Sequence, residues 1–167
     1  EEMKTLDQAT LMTLLEGTIQ TLQDFHREPL YCTDLSKGNI MIVKLEEKYV
    51  GRILDFGVSD HGGYYYNHTI PRIPNLAARD VRAYARTMLT KYFSCADWRW
   101  CVGREVGRQR CREQLESLRE NAGKDLLLDC LVKAAYGEYE SFYTLAQALT
   151  VVKQQLMPHP FKYCIIL

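Results

Sequence analysis

The sequence lacks the features that most directly identify membrane-spanning, zinc-binding and nucleic-acid-binding proteins. No run of 18 apolar residues occurs, which excludes a conventional membrane-spanning helix, and the amino terminus resembles neither a signal peptide nor a transit peptide. The six cysteines form no Cys-x-x-Cys pair and no histidine lies at zinc-ligand spacing, so we expect reduced thiols, although an even count leaves a disulfide framework open. Basic and acidic residues number 21 each, so no net charge favours nucleic acid or an anionic membrane.

What the sequence does contain is the composition of one ordinary globular domain. Its 167 residues are 47% hydrophobic and 25% charged, which allows a buried core but is too short for two full domains. We predict one domain over residues 1–157 and a carboxy-terminal tail over residues 158–167. The sequence does not begin with methionine, so we expect it to be cut from a longer chain.

The spacing of apolar residues predicts a mainly α-helical domain with one small β-hairpin. A Thr-x-x-Gln capping box at residues 5–8 introduces a helix over about residues 6–26. The apolar runs 40–43 and 49–54 are predicted to pair as the hairpin, and residues 58–75, rich in glycine, tyrosine and proline, are predicted to be a loop. About four more helices are predicted near residues 81–89, 104–120, 127–131 and 142–156.

Two acids and an amide lie on the loops that flank this hairpin. Asp34 and Asn39 precede its first strand, Asp55 follows its second strand, and Gly57 allows a sharp turn beside them. Each of these side chains alone is typical of a loop residue that bonds its local backbone. Together they offer the oxygen ligands that Mg²⁺ prefers while it keeps water or phosphate oxygens, so they predict a magnesium site for phosphate chemistry.

The same residues resemble motifs of the protein kinase superfamily. Residues 32–39, Cys-Thr-Asp-Leu-Ser-Lys-Gly-Asn, resemble the catalytic loop His-Arg-Asp-Leu-x-x-x-Asn, and residues 55–57, Asp-Phe-Gly, match the metal-binding triplet. Residues 79–85 resemble the start of the buried central helix of that family. The order of motifs is that of the kinase carboxy-terminal lobe (C-lobe), and the resemblance covers residues 5–156.

The resemblance implies phosphotransfer that depends on ATP and Mg²⁺, with a protein hydroxyl as acceptor. It places five residues in roles: Asp34 as proton acceptor, Asn39 and Asp55 as Mg²⁺ ligands at the bound ATP, Gly57 beside the metal, and Asp80 as structural support of the catalytic loop. Lys37 lies one position beyond the usual lysine of the family and is either a candidate for the γ-phosphate or a solvated loop lysine. Such catalysis consists mainly of positioning and electrostatic stabilisation.

The chain also departs from the family pattern. Cys32-Thr33 replace His-Arg, Ser36 stands where the phosphate-contacting lysine is usual, and no Ala-Pro-Glu follows Asp55. Only 33 residues precede Asp34, whereas an amino-terminal lobe (N-lobe) with its glycine-rich loop and lysine strand needs on the order of 80. We therefore expect a protein-kinase-like C-lobe that lacks the N-lobe, is inactive alone and acts as an enzyme only when joined to one.

Two other functions remain open from the sequence. The departures equally suit a pseudokinase or scaffold that uses the fold to bind a protein partner. A small-molecule kinase similar to aminoglycoside and choline phosphotransferases fits the Asp-x-x-x-Gly-Asn pattern of residues 34–39, although Phe56-Gly57 disfavours it.

The carboxy terminus and an arginine-rich segment bear on the partners and location of the protein. The last four residues, beginning at Cys164, match the Cys-a-a-X pattern, so one prediction is prenylation and membrane association, and the alternative is a hydrophobic tail packed on the domain. The arginines near Trp98 and Trp100 are interpreted as a solvated helix face, so we expect no nucleic-acid partner. A cytoplasmic location is expected, with membrane anchoring if Cys164 is modified.

Overall fold

The computed structural model describes residues 6–31, 35, 38–46, 48–54, 60–61, 75–93 and 105–156. This part of the chain is mainly helical, with two short antiparallel strand pairs. The prediction of a mainly α-helical domain with a small β-hairpin is therefore confirmed at that level. Among the helices that the structure describes, none is both long enough and apolar enough to cross a membrane.

The elements of the described residues follow one order along the chain. They are α1 (Gln8–Arg27), β1 (Leu30–Tyr31), β2 (Ile40–Leu45), β3 (Lys48–Ile53), β4 (Asp60–His61), α2 (Leu76–Tyr92), α3 (Glu105–Asn121), α4 (Leu126–Tyr136) and α5 (Phe142–Leu156), with a 3₁₀ turn at Ala122–Lys124. All five helices and the hairpin were predicted from periodicity. Strands β1 and β4 were not predicted, and β4 lies in a segment that we predicted to be a loop.

The N-cap of helix α1 lies two residues later than the sequence predicts. Asp7 is its N-cap, and the Asp7 carboxylate accepts hydrogen bonds from the backbone N–H of Thr10 at 2.9 Å and from its hydroxyl at 2.7 Å. Aspartate competes well for this position because its carboxylate satisfies amides that the first helical turn leaves free. The predicted capping box is thus wrong in its cap residue, and its Thr5 lies outside the described residues.

Strands β2 and β3 form the predicted hairpin, with Ile40 opposite Ile53 and Leu45 opposite Lys48. The strands run closer to the tip than predicted, and Glu46 in the turn has a φ of 52°. A tight hairpin connection favours such left-handed backbone because its twist then matches that of the strands.

Strand β3 packs directly on α1 at Gly51. A β-carbon at this glycine would lie 2.1 Å from Cγ2 of Thr18. The Thr18 hydroxyl donates to the Leu14 carbonyl at 2.9 Å and shares a 2.5 Å hydrogen bond with the Tyr84 hydroxyl of α2. Burial raises the pKa of the Tyr84 hydroxyl. Gly51 is therefore required for this close approach between strand and helix.

The hydrophobic core surrounds α2, which packs against α1, α4 and α5. Its residues Val81, Tyr84 and Leu89 are fully buried, and the Tyr84 ring meets Phe142 of α5 edge to face at 5.5 Å between centroids. Cys130 of α4 is buried in the same core as a free thiol, and burial raises its pKa to about 11. A reduced, inert cysteine at this position agrees with the expectation from the sequence.

Candidate functional site

The structure describes two of the side chains that the sequence predicts to act, Asn39 and Asp80. The others lie outside the described residues: Asp34, Lys37, Asp55, Gly57 and Cys164. The candidate site is therefore built from the described residues that flank the motifs and from the helix that packs beneath them.

The strand pairing brings the ends of the two motif-bearing connections together. Residues 32–39 join β1 to β2, and residues 54–59 join β3 to β4. Because β1 pairs with β4 and β2 pairs with β3, both connections begin and end on the same strand pairs. The Leu54 backbone N–H donates to the Asn39 carbonyl at 2.7 Å, which extends the hairpin by one residue pair. Asn39 therefore lies beside the residue that directly precedes Asp55 in the chain.

Helix α2 holds the backbone on both sides of residues 36–39. The Thr87 hydroxyl donates to the Leu35 carbonyl at 2.5 Å, and the Lys91 ammonium donates to the Ile40 carbonyl. Thr87, Leu35 and Ile40 are buried, and Lys91 is half-buried, so desolvation lowers the pKa of its ammonium. Thr87 and Lys91 are four residues apart and hence lie on one face of the helix.

Asp80 lies in the first half of α2 and is 1% exposed. Nε2 of His26, near the end of α1, lies 3.0 Å from its Oδ2. A buried carboxylate without a partner is strongly unfavourable, so this contact stabilises Asp80 in the core. The predicted support role of Asp80 toward the catalytic loop stays a prediction, and His26 is one partner of its carboxylate.

His26 is a residue of this site that the sequence analysis missed. Its ring lies 5.0 Å from the rings of both Tyr31 and Phe142, so it contacts β1 and α5 as well as Asp80. Its Nδ1 is buried and makes no hydrogen bond in the described part of the chain. A signal was available, because His26 continues the buried stripe of α1 four residues after Leu22.

A cavity of about 190 Å³ lies on the other side of this histidine, between α1 and α5. It is lined by Gln23, His26, Arg27, Ser141, Phe142 and Tyr143. Through His26 the cavity borders the candidate site, and neither Asn39 nor Asp80, the two described residues that the sequence predicts to act, is among its lining residues.

The described residues of the candidate site position the backbone next to the motifs. No cluster of three or more His, Cys, Asp or Glu side chains suited to a metal ion occurs within the described ranges. The predicted Mg²⁺ ligand Asn39 is the one member of its set that these ranges contain. No protein-family model and no curated protein matches the chain. The functional argument therefore depends on the motifs and on the contacts described above.

Proposed function

We propose that this chain is the C-lobe of a protein-kinase-like phosphotransferase, which binds Mg²⁺ and the phosphates of ATP through Asn39 and Asp55. Joined to an N-lobe, it transfers the γ-phosphate to a protein hydroxyl whose proton Asp34 accepts, with Lys37 at the phosphate and Gly57 beside the metal. Alone, it holds half of the nucleotide site and is inactive.

The hydrogen bond from Leu54 to Asn39 carries this proposal. It joins the last residue of one motif to the residue that precedes the other. Asn39 and Asp55 are 16 residues apart in sequence, but Asn39 lies beside Leu54, the residue that directly precedes Asp55. Two ligands of one metal ion require such proximity.

The accessible face of the hairpin gives further support. Side chains alternate between the faces of a strand, so Asn39, Met41 and Leu54 share the face opposite Gly51 and α1. Met41 is 44% and Leu54 37% exposed. Asn39 thus belongs to a face that a nucleotide or a second lobe can reach, with apolar surface beside it.

A metal titration tests the nucleotide half of the proposal. Mn²⁺, a paramagnetic substitute for Mg²⁺, is titrated into the chain with ADP, and binding is followed by the relaxation rate of water protons. We expect a weak ternary complex that Asp55→Asn and Asn39→Ala each weaken at least about tenfold, since loss of even an outer-shell partner of a metal typically costs 10- to 100-fold.

Two surface substitutions are matched controls. Asp24→Asn changes an exposed acid of α1, and Asn121→Ala changes an exposed amide at the end of α3. Both should bind manganese nucleotide like the wild type. If all four variants bind equally, or if the folded wild type binds no nucleotide, the proposed site is wrong.

The acceptor is tested in a form of the chain joined to an N-lobe. Transfer of labelled γ-phosphate to peptides should be lost in Asp34→Ala. Transfer to amino alcohols and not to peptides would instead favour the small-molecule kinase that the Asp-x-x-x-Gly-Asn pattern leaves open.

A protein-binding scaffold is the second candidate, and one observation favours it. Met41 and Leu45, on the same face of β2, are 44% and 46% exposed, and Leu54 continues this apolar surface. Exposed apolar clusters of this kind are typical of surfaces that another protein covers. A folded chain that binds no nucleotide but loses a protein partner on Met41→Lys would establish the scaffold function.

A further inference from the structure

The contacts of α2 with the backbone on both sides of residues 36–39 have no role in the proposed chemistry so far. The Leu35 carbonyl, which accepts from Thr87, belongs to the residue directly after Asp34. The Ile40 carbonyl, which accepts from Lys91, belongs to the residue directly after Asn39. The two acceptors therefore bracket the segment that holds Lys37 and Asn39.

We propose that Thr87 and Lys91 are positioning residues, whose side chains hold the backbone at Leu35 and Ile40 and thereby orient Asn39 in the nucleotide site. This inference rests on the proposed function and adds the residues that orient its ligands.

The burial of these contacts makes them stronger than ordinary loop hydrogen bonds. Thr87 is 8%, Leu35 4% and Ile40 1% exposed. A buried carbonyl that loses its donor cannot turn to water in place, so the backbone must move to satisfy it. The Leu35 side chain belongs to the core cluster around α2, so the helix fixes both the side chain and the carbonyl of this residue.

The spacing explains why one helix can do this. Thr87 and Lys91 lie one turn apart on α2, about 6 Å along its axis, so they present two donors on one rigid face. Residues held by side chains of a regular element are positioned more precisely than residues of an unsupported loop. Small displacements of ligands in a phosphate site weaken binding strongly, because the site acts by positioning.

The test compares Thr87→Val with Thr87→Ser and Tyr84→Phe. Valine keeps the shape of threonine and removes the donor, whereas serine keeps the donor. Tyr84→Phe removes another buried hydrogen bond of α2, to Thr18, that does not touch residues 35–40. It therefore serves as a control for general loss of stability.

Two quantities are measured for each variant. The first is the dissociation constant for manganese ADP, which we expect to rise about tenfold in Thr87→Val and to stay within about twofold of the wild type in Thr87→Ser and Tyr84→Phe. The second is hydrogen exchange of the amides of residues 35–41, which should accelerate about tenfold in Thr87→Val and change in Tyr84→Phe no more than the rest of the domain. Lys91→Met provides a second, independent removal of a donor and should behave like Thr87→Val.

The outcomes separate this inference from the proposed function. If the wild type binds manganese ADP and Thr87→Val and Lys91→Met bind it equally well, the positioning role is wrong. If the wild type binds no nucleotide, the proposed function fails and exchange alone decides. Acceleration confined to residues 35–41 then supports the role of Thr87, and equal acceleration in Thr87→Val and Tyr84→Phe overturns it.

Discussion

Gly51→Ala tests the close contact between β3 and α1, on which the position of the hairpin depends. The new β-carbon would lie 2.1 Å from Cγ2 of Thr18. Carbon atoms that are not bonded pack at about 3.5–4.0 Å, so the strand and helix must separate by roughly 1.4 Å or distort. Thr18 cannot simply turn away, because its hydroxyl bonds the Leu14 carbonyl and the Tyr84 hydroxyl.

The expected loss of stability follows from two opposing effects. Overpacking of a core contact typically costs about 1–3 kcal/mol. Replacing glycine restricts the unfolded chain and returns about 0.5–1 kcal/mol. We therefore expect Gly51→Ala to lower the free energy of unfolding by about 1–2 kcal/mol, with a fall in melting temperature of about 2–4 °C per kcal/mol for a chain of this size.

Thr18→Ser is the matched partner for this substitution. It removes Cγ2 and keeps the hydroxyl with its hydrogen bonds, so alone it costs about 1 kcal/mol for one buried methyl group. In this background the β-carbon from Gly51→Ala occupies the vacated space, where the nearest other atoms are the Leu14 carbonyl oxygen and Cβ of residue 18, both at 3.6 Å. The cost of Gly51→Ala should then fall by at least about 1 kcal/mol.

Urea unfolding of the wild type, both single variants and the double variant measures this coupling. The denaturant slope should stay constant, so that shifts of the midpoint report stability. The reasoning is refuted if the two substitutions are additive within about 0.5 kcal/mol, or if Gly51→Ala alone is as stable as the wild type.

Three further predictions concern stability. Thermal unfolding should show that Tyr84→Phe, which loses a buried hydrogen bond, costs about 1–2 kcal/mol. Tyr136→Phe removes a buried hydroxyl without a partner in the described residues and should be neutral or stabilising, so equal losses of stability in the two variants would contradict this prediction. Gly137→Ala should cost about 1 kcal/mol because Gly137 ends α4 at a φ of 91°, whereas Gly17→Ala, in an open helical position, should stabilise the protein by about 0.5–1 kcal/mol. Denaturant melts in which Gly137→Ala is the more stable variant would contradict this prediction. The pKa of Asp7 is lowered chiefly by the backbone N–H of Thr10, which donates to its carboxylate, so its stabilising effect is present above about pH 4 and is lost as pH falls through the pKa in the folded state. The loss of unfolding free energy in Asp7→Ala should therefore be largest at neutral pH. A loss that grows in acid would contradict this.

Individual elements show how much of the fold can be predicted from the sequence. Helix α1 and helix α2 follow from apolar residues at helical spacing, and the β2–β3 hairpin follows from two adjacent apolar runs. Strand β4 could not be found in this way. It is two residues long and pairs with β1, about 30 residues earlier, so nothing in its own sequence distinguishes it from a loop.

The residues of the candidate site likewise fall into two groups, those that the sequence reveals and those that it does not. The motif residues, with Asn39 among them, are visible in the sequence because each has a chemical type and a fixed spacing. The residues that position them are not. Thr87 and Lys91 bond backbone carbonyls 51 or 52 residues away, and a side chain that donates to a carbonyl needs no particular partner residue.

The sequence by itself therefore determined where the chain is helical, where it forms a hairpin, and which side chains are candidates for phosphate chemistry. Those properties depend on local periodicity and on residue type. Only the tertiary structure decided that His26 lies beside Asp80, that Leu54 lies beside Asn39, and that α2 donates to the carbonyls of Leu35 and Ile40. These contacts arise because packing around one buried helix joins segments that are distant in the chain, and no short stretch of sequence encodes such a meeting.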